Sequence, residues 1–142
     1  MTPTVDEIEA EIGKDLDNNV SGLVFGTSDD SQRNVYVGTF PDGKQEGILI
    51  LGSPSPAPHQ YIDTEYLVVD FWSRSEHTER SKALLRSVYE LYHRRYGYTL
   101  GDWYISFSRA LGSIVDADRD ANNGKLFRLS VQFICRNTTH TS

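Results

Sequence analysis

Leu126-Phe127-Arg128-Leu129-Ser130-Val131-Gln132-Phe133-Ile134-Cys135-Arg136 is the stretch that decides the fold. Phe127, Leu129, Val131, Phe133 and Cys135 fall on one side of an extended chain, with Arg128, Ser130, Gln132 and Arg136 on the other. Side chains of a strand point to alternate faces, so this period predicts a strand with one face in a core. Working backwards, Trp103 to Phe107 alternates in the same way. Tyr66 to Trp72 puts Leu67, Val69 and Phe71 on one face and Tyr66, Val68, Asp70 and Trp72 on the other. Between these two candidates, Leu84, Leu85, Val88, Leu91 and Tyr92 recur at helical spacing. They predict one long helix over residues 75 to 96, with Ser73-Arg74-Ser75-Glu76 as a capping box and Gly97 as its stop.

Towards the amino terminus, Thr4-Val5-Asp6-Glu7 has the form of a capping box. Val5, Ile8, Ile12 and Leu16 then trace the apolar stripe of a short helix ending near Asp17. Gly13 weakens that helix by about 1 kcal/mol relative to Ala, which makes it dependent on docking. Leu23 to Phe25 and Val35 to Val37 read as short strands, and Pro41-Asp42-Gly43-Lys44 reads as a turn leading to a hairpin partner at Ile48 to Leu51. Ser53 to Pro58, with three prolines, is read as an extended connection. The expected class is α+β: a mostly antiparallel sheet of four to six strands, one long helix on a face and a short amino-terminal helix. Residues 1–136 are expected to form one domain and residues 137–142 a flexible polar tail.

Composition narrows the function. The 142 residues are 38% apolar and 24% charged, with a net charge of −6, outside the disordered and collagenous classes. The longest aliphatic run, Ile48 to Leu51, is far short of the roughly 20 residues of a membrane helix. The acidic amino terminus lacks the pattern of a secretory signal, so a cytoplasmic site of synthesis is expected, and the lone Cys135 cannot form an internal disulfide. The negative balance argues against a general nucleic-acid binder. Charge is uneven, however. Residues 1 to 30 hold eight carboxylates against Lys14, or −7, whereas residues 74 to 95 hold six cations against three glutamates, or +3. Opposite patches of this kind suit contact between subunits, and the expected interface residues are Glu7, Glu11, Asp15, Trp72, Arg80 and Arg86.

No catalytic, metal or cofactor residues are expected. His59, His77, His93 and His140 are scattered outside any ligand or nucleophile motif. Asp116 to Gly124 places oxygens at alternate positions as a calcium loop does, but has Ala121 where the turn glycine belongs and Phe127 where the bidentate glutamate belongs. It reads as a hairpin connection turning at Asn123-Gly124, with Arg119 and Lys125 offsetting its carboxylates.

Ala110-Leu111-Gly112-Ser113-Ile114-Val115-Asp116, then Asp120-Ala121-Asn122-Asn123-Gly124-Lys125 and the alternating strand to Phe133, is similar to the carboxyl-terminal half of the tail terminator family of long-tailed bacteriophages. That family pairs an apolar-Gly segment with an Asp-x-Asn-Gly-Arg-type turn and an alternating last strand. Here Asn123 is inserted and Lys125 stands for the Arg. The likeness covers residues 61–136. It implies a virion structural protein, assembled in the host cytoplasm, that forms a hexameric ring at the head-proximal end of the tail tube. Its partners would be itself, the tail tube protein and the head-tail connector protein. The genome would pass through the ring without sequence-specific contact or a cofactor. Rival readings are a head-closure or other neck connector, a small cytoplasmic enzyme using the Asp116 to Asp120 carboxylates, and a non-viral binding module.

Overall fold

The computed structural model describes residues 5–25, 34–38, 46–52, 64–101, 103–119 and 124–137. Along the chain come α1 (Val5–Asn19), β1 (Val35–Val37), β2 (Gly47–Gly52), β3 (Thr64–Ser75), α2 (Thr78–Tyr92), β4 (Arg95–Leu100), β5 (Trp103–Ala110), β6 (Val115–Arg119) and β7 (Lys125–Asn137). The class is α+β, two helices on a mostly antiparallel sheet. The sheet has seven strands rather than four to six, ordered β1-β2-β3-β7-β5-β4, with β6 added beside β7. Among the described residues, no helix is long and apolar enough to cross a membrane.

The period-two reading of β3 and β7 describes the centre of the sheet. Their twelve-residue antiparallel register sets Leu67 opposite Phe133, Val69 opposite Val131 and Phe71 opposite Leu129, all buried. Both helices cover this one face. Ile8, Ile12 and Leu16 of α1 and Leu85, Val88 and Tyr92 of α2 are fully buried against it. Tyr92 lies edge-on to Phe133 and stacked with Phe71. Where α2 meets β3, the Ser73 and Ser81 hydroxyls lie 2.9 Å apart and Ser81 donates to the Lys125 carbonyl. Buried hydroxyls are thereby satisfied rather than orphaned.

Four expectations need correction. The long helix spans Thr78–Tyr92, not 75 to 96. Ser73 to Ser75 belong to β3, and His77, the residue before the helix, makes no side-chain cap. At the other end Arg94 takes a left-handed turn (φ 60°) and β4 starts at once, so Gly97 sits in a strand and not at a helix stop. Leu23 to Phe25 is no strand. It is strapped by Asn34, whose Oδ1 accepts the Val24 N–H and whose Nδ2 donates to the Gly22 carbonyl. β1 and β2 are parallel neighbours, Val35 beside Ile48, and not a hairpin. Gly47 permits the approach, because a Cβ there would lie 2.7 Å from the Asn34 carbonyl oxygen. Finally, the connection after Ile114 contains β6, which pairs Val115 with Arg128 and Asp116 with Phe127. The capping Thr4, the Pro41 turn, the proline connection, the Asn123 turn residue and the tail from 138 lie outside the described residues.

Gly13 has a packing reason. A Cβ there would sit 2.7 Å from the Phe25 ring, so the glycine in α1 lets the strap lie flat on the helix. Asp17 fixes the same strap by accepting the Phe25 N–H at 2.9 Å.

Candidate assembly surface

The six candidate interface residues do not converge on one patch. Glu7 is in the first turn of α1, and its side chain lies outside the described part. Glu11 pairs with Lys14 at 3.1 Å. Asp15 points inward: one carboxylate oxygen, Oδ2, accepts the Tyr92 hydroxyl at 2.9 Å and Arg95 at 3.0 Å. Arg80 pairs with Glu46 at 2.8 Å on the surface. Trp72 lies on the opposite face of the sheet, with the Arg128 guanidinium 5.7 Å from its ring centre. Arg80 borders a small cleft of ≈ 280 Å³ shared with Glu46 and Leu84, and Arg86 borders a larger one.

The acidity of α1 is thus largely engaged within the chain. Glu9 is buried and accepts the Gly52 N–H at 2.6 Å, tying the helix to β2. Asp15 ties it to α2 and β4, and Asp17 to the strap. Around Tyr92 the network continues: Tyr98 donates to Ser108, which donates to the Tyr92 carbonyl, each at 2.7 Å. Burial first, and the Asp15 carboxylate second, push the Tyr92 phenol well above its usual range. Burial likewise pushes Tyr98 up. Sequence spacing could not reveal this cluster, because its members come from α1, α2, β4 and β5 and meet only in the fold.

Around Arg86 the outer flank of α2 and the segment between β5 and β6 enclose a groove of ≈ 850 Å³, lined by Lys82, Arg86, Tyr89, His93, Gly112 and Ile114 among others. Tyr89 stacks on His93 at 4.6 Å. His93 Nδ1 accepts the Ala110 N–H at 3.1 Å, which caps an edge donor of β5. Beyond Ala110 the chain bulges through Leu111 to Ile114 and re-enters the sheet as β6. Among the described residues β6 pairs only with β7, so its outer side is an open edge. Leu111 and Val115 are 42% and 46% exposed, and Val115, opposite Arg128 in the register, belongs to the sheet face turned away from the helices. An open edge with exposed aliphatics is a ready template for another chain.

The carboxylates of the rival enzymatic reading run from Asp116 to Asp120, and the Asp118 side chain is outside the described part. Asp116 ion-pairs with Lys125, and Asp120 is outside the described residues. Among the described residues no three His, Cys, Asp or Glu side chains gather as metal ligands would. In sequence comparisons no protein-family model and no curated protein matches the chain.

Proposed function

We propose that this chain is a virion structural protein of a long-tailed bacteriophage, a tail terminator. It forms a ring, six-membered by resemblance, on the head-proximal end of the tail tube, ends tube polymerisation and joins the tail to the head connector. The observation that carries this reading is the β6 edge, open among the described residues and flanked by the exposed Leu111 and Val115, together with the Arg86 groove on the helix side. An edge with projecting side chains and an adjacent groove are unlike surfaces, and unlike surfaces make a head-to-tail contact that closes into a ring when its rotation divides the circle. This flank contains the Ala110 to Asp116 segment on which the resemblance rests. Lys82 and Arg86 at the rim would set orientation, while the aliphatic edge would supply most of the affinity.

The test is the native mass of the full chain, alone and with the tube protein of the same phage. Leu111→Asp with Val115→Asp, and separately Lys82→Glu with Arg86→Glu, should abolish or weaken the ring while leaving the urea melt of the monomer unchanged. Arg80 is left out because reversing it would set two carboxylates together at Glu46. A chain that forms no oligomer with any tail or neck partner refutes the ring. Normal assembly of both variants refutes the placement of the contact.

A further inference from the structure

The sheet face turned away from the helices has its own chemistry. Following the register across four strands, Tyr66 of β3 lies opposite Ile134 of β7, Ile134 opposite Phe107 of β5, and Phe107 opposite Tyr96 of β4. These four make one apolar, mostly aromatic row, about 14 Å long at the usual strand spacing. Tyr66 is 56% exposed, and Tyr96, stacked on Phe107 at 4.6 Å, is 69% exposed. Two residues along the strands, about 7 Å to either side, cations flank the row. Arg136 lies over Tyr104 on one side, 5.2 Å from the ring centre, and Arg109 is bonded to Gln132 on the other. Arg128, over Trp72, continues the line along β7.

The charge of this face is opposite to that of the chain. Arg109, Arg128 and Arg136 stand against Asp70 among the described residues of the face, a local +2 within a chain of −6, which leaves −8 elsewhere. Glu9, Glu11, Asp15 and Asp17 all belong to α1 in the other layer. Arg109, Arg128 and Arg136 are exposed. Their contacts, an amide and two aromatic rings, leave guanidinium N–H groups free to fork onto an anion.

We propose that this face binds single-stranded nucleic acid without sequence preference: bases stack on Tyr66 and on the Tyr96–Phe107 pair, and phosphates are held by Arg109, Arg136 and Arg128. An open antiparallel sheet with aromatics on adjoining strands and cations beside them is the arrangement that stacks unpaired bases. A duplex offers no free base face to Tyr66 and Tyr96, so it would use the arginines only. A second copy docked face to face would set arginines against arginines. Glu9, Asp15 and Asp17 of α1, being engaged inside the chain, are poor complements for this face.

This inference does not depend on the ring, which is judged by mass; because Val115 lies opposite Arg128, the Lys82→Glu with Arg86→Glu variant on the helix layer is the one that keeps the two tests apart. The experiment is fluorescence anisotropy of a labelled oligothymidylate with the full chain at low salt, beside a duplex of equal length and unlabelled polyglutamate as competitor. We expect saturable binding to the single strand, at least ten-fold weaker binding to the duplex, and little competition by polyglutamate. The affinity should fall with salt at a log–log slope of about −2, as three phosphate contacts on a single strand require. Arg109→Gln or Arg136→Gln should each reduce the slope by about 0.7. Tyr66→Ala or Tyr96→Ala should weaken binding about ten-fold with the slope unchanged. Lys82→Gln, on the helix layer, should change nothing. The proposal is overturned by no binding at low salt, by equal binding of duplex or equal competition by polyglutamate, or by binding that the four face variants leave intact.

Discussion

Replacing Asp15 by alanine tests whether the acidic helix serves the inside of the molecule or its neighbours. One carboxylate oxygen receives both the Tyr92 hydroxyl and Arg95, and Tyr92 is fully buried while the Asp15 side chain is 12% exposed. Removing the acceptor strands a buried hydroxyl, at a cost of about 1–3 kcal/mol. The partly buried ion pair adds up to about 1 kcal/mol. The expected loss is about 1–4 kcal/mol, which for a chain of this size lowers the melting temperature by roughly 2–15 °C. Tyr92→Phe alone should cost about 1 kcal/mol, because Asp15 keeps Arg95. In that background Asp15→Ala should become milder by at least about 1 kcal/mol, the coupling expected of directly bonded partners. The assay is urea unfolding of the four proteins of the cycle at a concentration where each is monomeric. Additive effects, or an Asp15→Ala melt within about 0.5 kcal/mol of wild type, would refute the reasoning and return Asp15 to the subunit interface.

Phe133→Ala should cost about 3–5 kcal/mol, because the ring is fully buried against Tyr92, while Gln132→Ala on the face turned away from the helices should cost under about 1 kcal/mol; urea melts decide. Gly13→Ala would gain about 1 kcal/mol in helix propensity, yet its Cβ would meet the Phe25 ring at 2.7 Å, so destabilisation is expected, turning to stabilisation in a Phe25→Ala background. Tyr92 and Tyr98 titrate higher folded than unfolded, so their contribution is complete below about pH 10, the unfolded phenol value, and is lost as pH rises through the folded values. Denaturation melts from pH 8 to 12 should show stability falling above about pH 10, and Tyr98→Phe should flatten that fall.

What was legible from sequence is what local periodicity encodes. Leu67, Val69 and Phe71, the odd-numbered residues from Phe127 to Cys135, and the stripe Ile8, Ile12, Leu16 all reach the core, because burial on one face imposes a period that needs no knowledge of partners. Strand β4 was missed though Leu100-Gly101-Asp102-Trp103 carries a hairpin signal, with Gly101 at φ 60°. The preceding helical stripe through Tyr92 masked it. β6 has no apolar alternation to find, being an edge strand of Val-Asp-Ala-Asp-Arg. The parallel β1–β2 pair depends on a close approach at Gly47 that no spacing announces. The charge count failed differently. A local −7 treats every carboxylate as solvated, whereas Glu9, Asp15 and Asp17 are internal acceptors. The cross-strand row of Tyr66, Ile134, Phe107 and Tyr96 likewise exists only once register is known.

The position of β7 bears on when the molecule becomes competent. It comes last in the order of strands, yet it lies between β3 on one side and β5 with β6 on the other. Until it inserts, β3 and β5 have no common partner, and the chain emerging during synthesis holds two half-sheets with facing raw edges. Closing them needs contacts of large sequence separation, Phe71 to Leu129 among them, which makes folding slow and dependent on the whole strand. The same strand brings Arg128, Ile134 and Arg136 to the face turned away from the helices and anchors the β6 edge. Neither surface therefore exists in a chain cut short before residue 125, so truncated products cannot occupy a place in an assembly or compete for a ligand.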